Sequence, residues 1–255
     1  MLKRFTLNLI YVRNFMSTLI ILIAFMFFNS VNAQKVVHTF YEDSISQKET
    51  SNLKSIYGNN KTMPKDFEAQ TLIALSYFPE LKDIKIKFRL KNRITPLATR
   101  PTIFSLFRSA KKRTYIITIS KQSNAKLDTI TLKNLKFNTQ IGVIGHELSH
   151  ISDYLNRDLL EMNRIGLDII FSKKRIDTLE YNTDMSCINH GLGFQLLDWS
   201  VSVRENLERP NWFGTDNLNN DDKRERYMNP STIINILNTH PLYEGNSILM
   251  EYPHN

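Results

Sequence analysis

Residues 138–155 of this chain read NTQIGVIGHELSHISDYL and carry its most informative pattern. Its apolar residues recur at positions 141, 144, 148, 151 and 155, which is the spacing of one helix face. We therefore expect a helix that buries this face in a core and turns the opposite face to a cleft. Asn138 is the expected N-cap. Gly142 and Gly145 each cost about 1 kcal/mol in helix propensity, which indicates close approach of a neighbouring backbone.

The opposite face of this helix carries the pattern HExxH, from His146 to His150. Residues four apart lie on the same helix face, so both imidazoles can bind one ion, with Glu147 beside them. This combination points to Zn²⁺, with Glu147 as the general base for hydrolysis of a peptide bond by a water molecule on the metal. The alternative is a core helix that carries two histidines by accident.

A catalytic zinc ion needs a third protein ligand and leaves its fourth position to water. Glu180 is the best candidate, and it precedes Asp184 by four residues, so both lie on one face of a helix that ends near Gly191 or Gly193. Asp184 would accept the spare N–H of a zinc-bound histidine and fix its tautomer. The alternative is that both carboxylates lie on a solvated helix face.

HExxH followed by ExxxD resembles the gluzincin group of metallopeptidases, the thermolysin-like arrangement. The resemblance implies a zincin-like α+β fold, in which a small, mostly antiparallel sheet packs on the active-site helix and a mainly helical C-terminal part follows. It implies His146, His150 and Glu180 as zinc ligands, Glu147 as base and Asp184 as partner of His146. The gap between the second histidine and the third ligand is longer than in thermolysin, which indicates an inserted segment, residues 156–175.

Two related patterns fit less well. Metzincins place a glycine and a third histidine after the pentapeptide, and Ile-Ser-Asp-Tyr-Leu-Asn follows His150 here. In aspzincins the residue at Asp184 would itself bind the metal, but the neighbouring residues do not match that pattern.

The amino terminus predicts export. Residues 1–13 carry three cations and no acid, residues 15–28 are almost wholly apolar, and Val31-Asn32-Ala33 ends in a small residue. This is typical of a signal peptide, residues 1–33, and of a secreted or periplasmic protein. The alternative is a membrane anchor formed by residues 15–28, although this stretch is short for a bilayer span.

The mature chain is long enough for one substantial core or for two subdomains around a cleft. We expect an N-terminal zincin subdomain, residues 34–157, and a helical subdomain with the third ligand, residues 158–255. The single cysteine, Cys187, excludes an intrachain disulfide and is expected to be a buried small apolar residue. Without residues 1–33 the chain contains 30 Lys and Arg and 25 Asp and Glu, which is an excess of five positive charges. This modest excess, with no nucleic-acid motif, predicts no nucleic-acid partner. The HExxH pattern predicts a peptide or protein substrate, and a membrane is a partner only if the N-terminal segment is retained.

Ahead of the HExxH helix, the pattern predicts a helix that is capped by Asp66, runs through Phe78 and is stopped by Pro79. Residues 84–90 alternate apolar residues with cations, which is typical of a half-buried strand with a basic outer face. Further strands are predicted at 102–107, 115–120 and 129–133, with a turn at 109–113. We expect strand 115–120 to be the edge strand that pairs with an extended peptide substrate.

The C-terminal part is less informative. Residues 192–199 are expected to continue in a helix, residues 208–222 are a polar loop, and Asn229-Pro230 starts a final helix. Peptide hydrolysis also needs a hydrogen-bond donor for the developing oxyanion, for which Tyr227, His190 and His240 are eligible.

Overall fold

The computed structural model describes residues 36–208 and 225–245, and it has an α+β architecture. The described residues contain seven α-helices, which are Gln47–Tyr57 (α1), Glu68–Ser76 (α2), Phe137–Tyr154 (α3), Leu159–Phe171 (α4), Lys173–Asn189 (α5), Gly193–Glu208 (α6) and Pro230–Thr239 (α7). They also contain one sheet of four strands, which are Lys61–Thr62 (β1), Lys85–Lys91 (β2), Leu97–Pro101 (β3) and Thr114–Ser120 (β4).

The sheet is mixed, so the expectation of a mostly antiparallel sheet is wrong. Its order is β1-β2-β4-β3, with β1 and β4 parallel to β2 and only β3 antiparallel to its neighbour β4. The parallel pairing of β1 with β2 needs a crossover, and α2 supplies it. The alternating pattern of β2 is confirmed, because Ile86 and Phe88 are buried while Lys85 and Arg89 are exposed.

Strand 115–120 is present as β4, but it is a central strand and cannot offer a free edge. Its side chains explain this position, since Tyr115, Ile116 and Ile117 are all buried and both of its faces are therefore covered. In the described sheet the edges are β1 and β3. The edge near the HExxH helix is β3, because β3 packs against α3.

Two predicted strands are wrong. Residues 102–107 contain a 3₁₀ turn in which the hydroxyl of Ser105 accepts the backbone N–H of Thr114. Residues 129–133 fall in two further 3₁₀ turns, where the hydroxyl of Thr131 donates to the carbonyl of Asp128. Short polar side chains that bond to nearby backbone groups compete with strand pairing, and here they outweigh the β propensity of these segments.

The central helix α3 is buried along nearly its whole length. The expected cleft beside its histidine face is present, because His146 and Glu147 line a cavity. It packs against α2, α5, α6 and β3. Even its polar residues His146, Glu147 and His150 are only 3%, 6% and 7% exposed. The apolar stripe indicated one packing partner correctly but could not reveal that other helices cover the histidine face.

Two predicted helix caps are wrong for a related reason. Asn138 lies inside the first turn of α3, and its amide oxygen accepts from the backbone of Phe40 and the side chain of Gln195. Asp66 lies in a 3₁₀ turn ahead of α2, although that helix does end before Pro79 as predicted. At Asn138 the partners are distant in sequence, and a local pattern does not contain them.

Two C-terminal predictions are confirmed. Residues 192–199 enter α6, and α7 begins with Pro230 at its first position. Residues 156–175 contain α4, and that they are an insertion stays a prediction. The predicted signal peptide, residues 1–33, and residues 209–222 of the predicted polar loop lie outside the described residues. The division into two subdomains stays a prediction. Among the described residues, no helix is both long and apolar enough to cross a bilayer.

The glycines of α3 allow close packing. A Cβ at Gly142 would lie 2.1 Å from the carbonyl oxygen of Gln195 in α6, so the expected approach of a neighbouring backbone is confirmed there. At Gly145 the nearest atoms belong instead to the side chains of Leu192 and Cys187. Cys187 is fully buried, as expected.

We predict that Gly142→Ala lowers the free energy of unfolding by about 1–3 kcal/mol, because α3 and α6 would have to move apart. This sign is opposite to that of helix propensity, which favours alanine. Chemical denaturation measures the change in the free energy of unfolding. The matched control is Gly166→Ala in α4, where no atom lies within 4 Å of the added Cβ. The control should be neutral or stabilise by up to about 1 kcal/mol, and an equal effect at both positions would contradict the proposed close contact.

Candidate metal centre

Three predicted ligands meet between α3 and α5. The Nε2 atom of His146 lies 3.1 Å from Oε2 of Glu180, and the Nε2 atom of His150 lies 3.4 Å from the same oxygen. One potential ligand atom from each residue lies within 4.8 Å of the other two. These residues could therefore hold a metal ion.

Helix α5 places its carboxylates inward through the helical repeat. Glu180, Asp184 and Cys187 recur at intervals of four and three residues and so share one face. Asp184 is 1% exposed and Cys187 is fully buried, while the Glu180 side chain is 16% exposed. The alternative of a solvated helix face is therefore wrong.

Asp184 fixes the tautomer of His146. Its Oδ1 lies 2.8 Å from Nδ1 of His146, and its Oδ2 accepts the backbone N–H of Met228 at 2.8 Å. An ionised carboxylate only accepts hydrogen bonds, so the proton lies on Nδ1 of His146 and the Nε2 of the neutral ring carries a lone pair. Since both oxygens of Asp184 are engaged away from Nε2, the structure does not favour Asp184 as the third ligand.

Thr183 has the same effect on His150, and sequence reasoning missed it. Its hydroxyl donates to the carbonyl of Leu179 at 2.8 Å, so its oxygen is left to accept from Nδ1 of His150 at 3.2 Å. The Nε2 of a neutral His150 therefore also carries a lone pair. The sequence spacing could have indicated this role, because Thr183 lies three residues after Glu180 and thus on the same face of the helix.

The electrostatics of this arrangement call for a cation. Two nitrogen lone pairs facing one carboxylate oxygen repel it, unless the rings are protonated or a metal lies between them. Burial opposes the charge on His146, but hydrogen bonds to Asp184 and Glu180 raise its pKa well above the ordinary value. Burial likewise opposes ionisation of Glu180, yet His150 and His146 hold its pKa far below the ordinary value. Buried charges of this kind are costly, and one divalent ion would satisfy all three donors.

Glu147 supplies an independent observation. It is 6% exposed, and its Oε2 atom has no hydrogen-bond partner among the described residues. It lines the same cavity as His146. A buried carboxylate oxygen without a partner is rare and costly, and it is typical of a group whose partner is a reactant or a water molecule.

The cavity beside Glu147 has a volume of about 400 Å³. Its walls are mostly apolar, and they include Leu97, Leu127, Val143, Leu196, Val203 and Leu207. Leu97 belongs to the edge strand β3, so the cavity connects that edge with the metal centre. The structure thus places apolar surface next to the candidate ligands.

Only one of the three eligible oxyanion donors lies in this cavity. The ring centroid of Tyr227 is 5.9 Å from that of His146, and burial raises the pKa of Tyr227 well above its ordinary value, so its hydroxyl stays protonated. His190 instead bonds to Glu80, and His240 bonds to Asn189 at the end of α5. His190 lies ten residues beyond Glu180, which is about 15 Å along a helix.

Comparison with known proteins does not assign the chain to a group. No family model, no curated protein and no solved structure matches it. The assignment of a metal centre rests on the geometry described above, and the resemblance to gluzincins rests on the HExxH and ExxxD segments alone.

We predict that Thr183→Val weakens zinc binding about tenfold or more, because valine keeps the volume but removes the acceptor for Nδ1 of His150. Competition against a chromogenic chelator measures the affinity. Thr183→Ser keeps the hydroxyl and should bind zinc nearly as tightly as the wild type. If the valine variant binds zinc like the wild type, Thr183 does not orient His150.

Proposed function

We propose that the chain is an exported zinc-dependent metallopeptidase of the gluzincin type with a zincin-like fold. The observation that carries this proposal is the unpartnered Oε2 of Glu147 beside three potential metal ligands. A site built only to retain a metal has no use for a buried carboxylate that binds nothing. A hydrolytic site needs that group as a base.

The donor set favours zinc. Two imidazole nitrogens and one carboxylate oxygen are typical of catalytic zinc sites, which leave a fourth position open. Bonds of about 2.0–2.2 Å to a tetrahedral zinc place neighbouring ligand atoms about 3.3–3.6 Å apart. The separations of 3.1 and 3.4 Å between Glu180 and the two histidines are close to this spacing.

A bound zinc ion would lower the pKa of a water molecule to about 7 and polarise the scissile carbonyl. Glu147 would take a proton from the attacking water and deliver it to the leaving amine, which makes it the general base and then the general acid. Tyr227, held protonated at the cavity wall, is suited to donate a hydrogen bond to the developing oxyanion. Asp184 and Thr183 would hold the two histidines in the ligand tautomer.

A peptide substrate is favoured by the position of β3. No strand pairs with its outer edge among residues 36–208 and 225–245, and its residue Leu97 lines the cavity with Glu147. An extended peptide could pair with this edge and present a carbonyl to the centre. Cleavage outside the cytoplasm, in a secreted or periplasmic form or anchored by residues 15–28, remains the prediction of the amino-terminal sequence.

The competing function is an exported zinc-binding protein without catalysis, and Glu147 distinguishes the two. We predict that Glu147→Gln keeps one zinc per chain but lowers cleavage of a peptide library at least about 100-fold, since the base is lost. Metal analysis and mass spectrometry of the products measure the two effects.

The controls separate metal loss from loss of the base. His150→Ala should lose both zinc and cleavage. Glu80→Gln removes an exposed carboxylate that bonds to His190 and Ser152, and this variant should retain both zinc and cleavage. The peptidase proposal would be contradicted if the wild-type chain binds zinc but cleaves no peptide that the Glu147→Gln variant leaves intact.

The apolar cavity leads to a prediction about selectivity. We expect a preference for a large apolar side chain next to the scissile bond, because the cavity is mostly apolar and exceeds the volume of any single side chain. Val203→Phe should fill the cavity and shift kcat/KM towards peptides with alanine at that position, by about tenfold relative to leucine. Val203→Ala should shift it in the opposite direction. If kcat/KM falls by the same factor for all peptides in both variants, the cavity does not select the substrate.

A further inference from the structure

The connection between β3 and β4 carries an exposed apolar surface. In residues 103–112, which we term the tip, Ile103, Phe104 and Phe107 are 66%, 91% and 79% exposed. The cations Arg108, Lys111 and Lys112 belong to the same segment and are also exposed. The tip therefore combines three large apolar side chains with three positive charges.

Buried contacts fix the backbone of the tip. Arg113 is 2% exposed, and its guanidinium donates to the backbone carbonyls of Arg108 at 3.1 Å and Arg157 at 2.8 Å. The hydroxyl of Tyr115 donates to the carbonyl of Ala110 at 3.0 Å. Ser105 holds the first half of the tip, because its hydroxyl donates to the carbonyl of Thr114 at 3.2 Å and accepts the backbone N–H of Thr114 at 3.1 Å. Since the backbone is held in both halves, the exposure of the phenylalanines is a built feature of the surface.

The chain segment that contains the tip carries charge of one sign. Residues 84–127 contain twelve Lys or Arg and no Asp or Glu. The three cations of the tip form no ion pair within the described residues. A contiguous segment of this charge attracts an anionic surface.

We propose that the tip docks on a bilayer surface that contains anionic lipids. Aromatic and aliphatic side chains enter the boundary between headgroups and acyl chains, while adjacent cations meet the lipid phosphates. A second copy of the chain is a poorer partner, because it carries the same excess of positive charge. A nucleic acid would match the charge but offers no apolar phase for Ile103 and Phe104. The proposal does not depend on the metal centre.

A fluorescent label at position 104 tests the docking directly. The only cysteine of the chain, Cys187, is fully buried, so Phe104→Cys can be labelled selectively with an environment-sensitive dye. The full chain is mixed with vesicles of phosphatidylcholine, with or without phosphatidylglycerol. We expect a several-fold rise in emission with the anionic vesicles, little with the neutral ones, and reversal by high salt. The label reports its own surroundings, so insertion of residues 15–28 alone does not produce this signal.

The matched control is Tyr41→Cys. Tyr41 is 67% exposed, but its neighbours are Glu42 and Asp43, and we expect no response to the same vesicles. Replacing both Lys111 and Lys112 by alanine should weaken the response at position 104 about 30-fold, since each cation contributes roughly fivefold.

Three outcomes would overturn the proposal. These are an absent response at position 104, an equal response at positions 104 and 41, and a response without vesicles that grows with protein concentration. The last result would identify a second copy of the chain as the occupant. Because the readout uses neither metal nor substrate, it separates this proposal from the proposed peptidase activity.

Discussion

The buried carboxylate of Asp184 is the group on which the centre of this structure depends. It is 1% exposed, and it joins the central helix α3, through His146, to the segment before α7, through the backbone of Met228. A buried charge needs this full set of partners, because removing one leaves an uncompensated group in a medium of low dielectric constant. Asp184 therefore aligns three parts of the chain and sets the tautomer of a ligand with the same two bonds.

Close packing elsewhere on α3 offsets the unfavourable free energy of burying the polar groups of this centre. The helix lies against the backbone of α6 at Gly142, and Leu148 and Ile151 are fully buried. Side-chain hydrogen bonds from Thr139 and Asn138 to Asp198 tie the first turn of α3 to α6. A polar centre with an unpartnered oxygen on Glu147 can persist because these contacts hold its helix from the other sides. Strained or unsatisfied groups of this kind are typical of functional sites.

Much of the secondary structure near the centre could be predicted, because it depends on local patterns. The stripe from Ile141 to Leu155 indicates α3, and the alternation around Ile86 indicates β2. The errors occur where local polar bonds or distant partners prevail, as at Ser105, Thr131 and Asn138. The edge strand was assigned wrongly because hydrophobicity along β4 does not reveal which strands flank it.

The identity and spacing of the candidate ligands follow from the sequence alone, since His146 and His150 share a helix face wherever that helix lies, as do Glu180 and Asp184. The sequence could not determine that these two faces meet, that Thr183 orients His150, or that Tyr227 rather than His190 or His240 lies beside them. Those facts depend on the packing of α5 and the segment around Met228 onto α3. Spacing along one helix follows from its fixed repeat, whereas contact between helices depends on every side chain that separates them.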